Sequence, residues 1–167
     1  MEHRDELLTI AEIAIGIAGF SGVMAAFLQR GGLHELDRVR FVNLFVAAFT
    51  TLTLAFVPIV VAEVSDAIWF YSSSVMIAVW FINVGFGIFY VVPQVRKNEG
   101  PSYILPNLLV GIPSFLNLGV QCLNLTGWLW EPGFLAYIFG LFVYLYASCL
   151  LFVFVVLYRP SLPDAAQ

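Results

Sequence analysis

The sequence predicts an all-α fold: a polytopic transmembrane bundle of five helices, with the amino terminus outside and the carboxyl terminus inside. Three observations predict it. The first is composition, since 61% of the 167 residues are hydrophobic and 11% charged, with a mean hydropathy of +0.93. Soluble domains hold roughly 45–50% apolar and about 25% charged residues, so this chain has too little polar surface to cover a water-facing exterior. The second is a set of five apolar runs, near residues 7–29, 41–62, 67–92, 103–127 and 134–158. Each reaches the roughly 20 residues that a hydrocarbon core of about 30 Å requires at a helical rise of about 1.5 Å per residue. The third is charge placement, because Arg30, Arg38, Arg40, Arg96, Lys97 and Arg159 all fall on one side of such a bundle and only Arg4 on the other. Cytoplasmic loops collect Lys and Arg, which sets the orientation and points to a cytoplasmic (inner) membrane.

Span one follows the stretch MEHRDELL, which is more acidic than basic, so a cleavable signal is not expected and the span is read as retained. Its small residues Ala14, Ala18, Gly22 and Ala26 recur every four positions, with Gly16 and Gly19 beside them. Such a stripe lets another backbone approach closely, either within the chain or from a second copy. Glu12 lies on the same broad face and is the one ionisable residue well inside a span. A carboxyl there is either a functional group or a helix-end group that reaches the interface. The run EIAIGIAGFSGVMAA resembles a segment of small uncharacterised bacterial membrane proteins; the resemblance covers span one and implies no activity.

The following loop, QRGGLHELDRVR, has Gly31 and Gly32 as a helix stop and then a short charged piece expected to lie along the inner surface. Span two carries Asn43, Thr50 and Thr51 on one side and a bend at Pro58. Glu63 and Asp66 occupy the outer turn that follows, and span three sets Ser72, Asn83 and Tyr90 on one side. Trp69, Tyr71, Trp128 and Trp130 mark the outer interface.

Span four is the most informative. Asn107, Gly111, Ser114, Asn117, Gln121 and Asn124 fall within an arc of roughly 140° at about 100° per residue, opposite a Leu, Val, Ile and Phe face. An amide without a hydrogen-bond partner costs several kcal/mol in hydrocarbon, so this stripe must face protein or water. Two readings are open. The amides bond to neighbouring helices, with Asn43, Thr50, Thr51, Ser72, Asn83 and Tyr90 as available partners, or they line a hydrated path. Pro113 adds a hinge in mid-membrane, alongside Pro58 in span two.

Several classes are disfavoured. An acidic chain of net charge −4 has no basic face for nucleic acid. His3 and His34 fall on opposite sides, no HExxH or paired-aspartate arrangement occurs, and neither an enzyme, a metal site nor a cofactor is expected. Cys122 and Cys149 differ in depth by roughly 16 Å and are read as free thiols. The leading expectation is a small channel or passive transport protein, working as a homo-oligomer. Its polar path would run along span four through Asn107, Ser114, Asn117, Gln121 and Asn124, with Asn83 from span three and Asn43 from span two. Glu12, Glu63 and Asp66 would form an acidic, cation-favouring mouth. The alternative is a non-transporting membrane protein that binds a partner membrane protein, a lipid or a pigment.

Overall fold

The computed structural model describes residues 3–29, 35–94, 104–128 and 131–157; within these, side chains 27–29, 35–37, 104–107 and 157 lie outside the description. The described residues form five helices: α1 (Arg4–Gln29), α2 (Glu35–Val61), α3 (Ile68–Phe86), α4 (Ile104–Thr126) and α5 (Phe134–Leu157). All five are long and apolar enough to cross a membrane. Chain ends and turns define two ends of the bundle, an acidic one with Glu63, Asp66 and Glu131 and a basic one with Arg38 and Arg40.

Of the charged segment expected along the inner surface, residues 35–40 form the start of α2, and residues 30–34 lie outside the described residues. Residues from Glu35 onward continue directly into α2. Leu36, Arg38 and Arg40 are good helix formers by residue type, which favours an early start to α2. This continuity carries Arg40 into the packed part of the helix.

Helices α2, α3, α4 and α5 pack in that order into a four-membered ring, with α5 returning to α2 and also reaching α3 across the middle. α1 lies outside the ring against α2, with a smaller contact on α5. Its inward face is Leu7, Ile10, Ala11, Ala14 and Ser21, all buried. The four-residue stripe of small residues follows this face only at first. Each step of four turns about 400°, so the stripe drifts about 40° per step out of the contact. Ala14 is buried, Ala18 and Gly22 are half-buried, and Ala26 is exposed. Gly16 and Gly19 face outward as well, and a Cβ at either would meet nothing within 4 Å. Gly22 alone of these glycines makes an intramolecular approach, its Cβ position lying 3.7 Å from the Phe45 ring.

The core in the acidic half joins α1 to the ring through Leu7, Ile10, Leu54, Met76, Tyr137 and Leu141. His3 stacks on Phe134 at 3.9 Å and ties the start of α1 to α5. α4 ends at Gly127, whose φ of 62° suits glycine and whose N–H donates to the Leu123 carbonyl at 3.2 Å. α3 changes character after Phe86, where Gly87–Val91 form a π-helical turn closed by the Val92 N–H on the Gly87 carbonyl. Such widened turns recur at functional sites.

Candidate functional site

The polar stripe of α4 is divided between two environments. In the acidic half, Asn117, Gln121 and Asn124 are at most 1% exposed and bonded to protein. Gln121 Nε2 donates to Asn117 Oδ1 at 3.1 Å and to the Ala136 carbonyl at 2.6 Å, while its Oε1 accepts from Ser73 Oγ at 2.9 Å. Both amide hydrogens and the carbonyl are therefore used. Asn124 Nδ2 donates to Ser73 Oγ at 2.9 Å, and Asn124 Oδ1 accepts the Gly133 N–H at 2.9 Å, fastening the α4–α5 turn. Asn117 Nδ2 completes the chain with a weak bond to Met76 Sδ at 3.9 Å. Bonds linked in series in a low-dielectric interior polarise and strengthen one another. The network pins α4 to α3 and α5 and closes the centre of the ring.

Gly140 on α5 makes this closure possible. A Cβ there would collide with Met76 Sδ and stand 2.7 Å from Asn117 Oδ1 and 3.0 Å from Gln121 Nε2. Nearby, Tyr137 Oη donates to the Leu54 carbonyl at 2.7 Å. That carbonyl is the one that Pro58, lacking an N–H, cannot bond.

Below Gln121 and Asn117 the ring opens toward the basic end. Trp80 forms the floor between the two zones, its Nε1 donating to Ser114 Oγ at 2.8 Å and the Ser114 carbonyl at 3.1 Å. A cavity of about 430 Å³ follows, bounded by α2, α3 with its π turn, α4 and α5. Its polar groups are Arg40, Asn43, Trp80, Asn83, Ser114 and Tyr144. Most of the remaining wall is aliphatic and aromatic, including Val84, Val91, Val143 and Leu151. Ile88 and Phe115 belong both to this wall and to the exposed outer surface, so the wall between the π turn and α4 is one side chain thick there.

The sequence-predicted residues thus separate into groups. Asn43, Asn83 and Ser114 meet at the cavity, and Asn117, Gln121 and Asn124 meet in the closed network. The Asn107 side chain lies outside the described residues. Pro113 sits inside an uninterrupted α4, and Pro58 is buried where α5 docks. Glu12, Glu63 and Asp66 are exposed: Glu12 is on the outward face of α1, and the other two share the α2–α3 turn. None of them borders the cavity. The expected partners are also revised. Ser73, one position from Ser72, serves the α4 amides, whereas Ser72 Oγ is buried without a partner. Thr51 bonds the Ala47 carbonyl of its own helix at 3.0 Å, and Thr50 accepts from Asn83 Nδ2 at 3.5 Å.

Sequence reasoning missed Ser73, Tyr137, Gly140, Arg40 and Tyr144. Arg40 carried a signal of its own, being two positions from Arg38 and hence turned about 200° away from it on a helix. Arg38 is exposed, while Arg40 is 3% exposed. Among the described residues, no group of three His, Cys, Asp or Glu side chains is placed to hold a metal ion.

Five spanning helices define a multi-pass membrane protein. No protein-family model matches the chain, and no curated protein or solved structure is significantly similar to it.

Proposed function

We propose that this protein is a non-transporting component of a cytoplasmic membrane that binds a membrane-soluble ligand in the basic half of its helix ring. The observation that carries this reading is the division of the α4 stripe. A continuous path would need Asn117 and Gln121 to face water, yet both are 1% exposed, Gln121 bonding Ser73, the Ala136 carbonyl and Asn117. A chamber of about 430 Å³, mostly apolar with a few convergent polar groups, has the size and character of a ligand site.

The test is solute flux from liposomes carrying the purified protein, under cation and anion gradients and imposed potentials of both signs. No flux above protein-free liposomes is expected, and Gln121→Leu is expected to lower stability without altering leakage. Cation-selective flux that disappears in a folded Gln121→Leu variant would restore the channel reading.

A further inference from the structure

The cavity holds one charged group and one unsatisfied one. Arg40 lies at its basic end with 3% exposure, which distinguishes it from Arg38, the exposed neighbour that marks the interface. A guanidinium that only snorkelled to the headgroups would keep its head in water. A planar guanidinium has five donors in a fork that matches carboxylate and phosphate oxygens, so protein and ligand can share it. Deeper in, Tyr144 is 8% exposed, and its phenolic oxygen makes no hydrogen bond of good geometry although Asn83 lies beside it. Among the described residues, three buried side-chain oxygens have no partner; those of Ser21 and Ser72 do not line the cavity, and that of Tyr144 belongs to its wall. A buried hydroxyl left unmade is costly, and in a chamber of this size a ligand atom can meet it.

The wall also has shape to spare. Gly87 and Gly111 both line the cavity, and a Cβ at either would meet nothing within 4 Å. Gly87 begins the π turn, so the widened turn and both glycine positions border the same space. Between Arg40 and the Trp80 floor, the surface is largely aliphatic, and its lining residues Ile88 and Phe115 are also exposed at the outer surface.

We infer that the cavity takes an anionic amphiphile from the bilayer, with its carboxylate or phosphate on Arg40 and its apolar body against the α3 to α5 wall, near Tyr144. This assignment rests on the ligand-binding reading above and deepens it. Entry past the exposed wall residues Ile88 and Phe115, between the π turn and α4, would keep the apolar body out of water. The charge is met at the basic end, where anionic headgroups of the inner leaflet would also lie.

Trp80 supplies the readout, being the tryptophan of the described cavity wall. The full-length protein, in nanodiscs of neutral phospholipid, is titrated with 9,10-dibromostearate, its methyl ester and a dibromoalkyl phosphate. Quenching is taken as the difference from Trp80→Phe. The anionic probes are expected to saturate the quenching at concentrations at least about tenfold below the ester, the scale of one charge-assisted hydrogen bond. Arg40→Gln is expected to erase that preference, and Tyr144→Phe to weaken binding a few-fold without unfolding, since it removes only the unsatisfied oxygen. Gly111→Leu, whose side chain enters open space, is expected to abolish saturable quenching. Stronger binding of the carboxylate assigns a free fatty acid, and stronger binding of the phosphate assigns a phosphate-headed lipid. Saturable quenching that is equal for acid, phosphate and ester, and still lost in Gly111→Leu, would overturn the anionic assignment and leave a neutral-lipid cavity. Quenching that never saturates and ignores Gly111→Leu would overturn both readings. Should Arg40→Gln fail to fold, the ester comparison and Tyr144→Phe decide the matter.

Discussion

Pro58 has no N–H to offer the Leu54 carbonyl one turn earlier, and in the apolar interior that carbonyl has no water to turn to. Tyr137 Oη meets it at 2.7 Å from α5, so the defect in one helix becomes the attachment point of another. This predicts a specific non-additivity. Tyr137→Phe should destabilise the fold by about 0.6–1.7 kcal/mol, the range for hydrogen bonds between membrane helices. Pro58→Ala, which returns an N–H to Leu54, should remove most of that penalty when the two are combined. Denaturant unfolding of the four proteins in detergent gives the coupling directly, and additive effects would mean that the tyrosine contributes through packing alone. Half of this arrangement is legible in the sequence. Proline at position 58 announces a freed carbonyl at Leu54, but nothing in the periodicity of α5 says that Tyr137 sits at that depth. The same limit explains the exchange of Ser72 for Ser73. Periodicity placed a serine near the α4 amides, and the rotation of α3 within the ring chose between neighbours about 100° apart.

At the scale of whole helices, the stripe on α4 was readable because amides in hydrocarbon must be satisfied, whatever satisfies them. The face that meets them was not readable, because its key residue has no side chain. Gly140 lets α5 approach until the Ala136 carbonyl reaches Gln121 Nε2 at 2.6 Å, and a Cβ at position 140 would strike Met76 and both α4 amides. Gly140→Ala should therefore be destabilising despite alanine's better helix propensity, by about 1–3 kcal/mol for overpacking. Gly119→Ala is the control, since that glycine of α4 is exposed and its Cβ position is open, so the same change should be neutral or slightly stabilising. Unfolding midpoints of the two variants in one detergent separate the effects. Equal shifts would mean that α5 can move away from α4 at little cost. α1 teaches the reverse lesson. Its small residues look like a packing seam, yet a step of four drifts away from a contact that follows Leu7, Ala14 and Ser21 at steps of seven.

For the molecule as a whole, the two halves of the ring have opposite characters, and both follow from which end is which. The acidic half is closed by the α4 network and the Leu7 to Leu141 core, and the basic half holds the cavity and Arg40. The basic residues predict that the cavity half is cytoplasmic, since Arg38 and Arg40 lie at that end and Arg30, Arg96, Lys97 and Arg159 belong to the sequence segments that adjoin it. The prediction is tested with single cysteines in a Cys122→Ser, Cys149→Ser background. Asp66 and Arg38 are both exposed and lie at opposite ends, so neither replacement disturbs the core. A membrane-impermeant maleimide applied to intact cells should label Asp66→Cys, while Arg38→Cys should react only after the membrane is opened. The reverse pattern would put the cavity at the outer leaflet. An anionic amphiphile would then have to come from the outer leaflet, away from the inner-leaflet surface whose anionic lipids the basic end is suited to meet. Orientation and ligand are thus linked through Arg40: the charge that places α2 in the membrane also gives the chamber its sign.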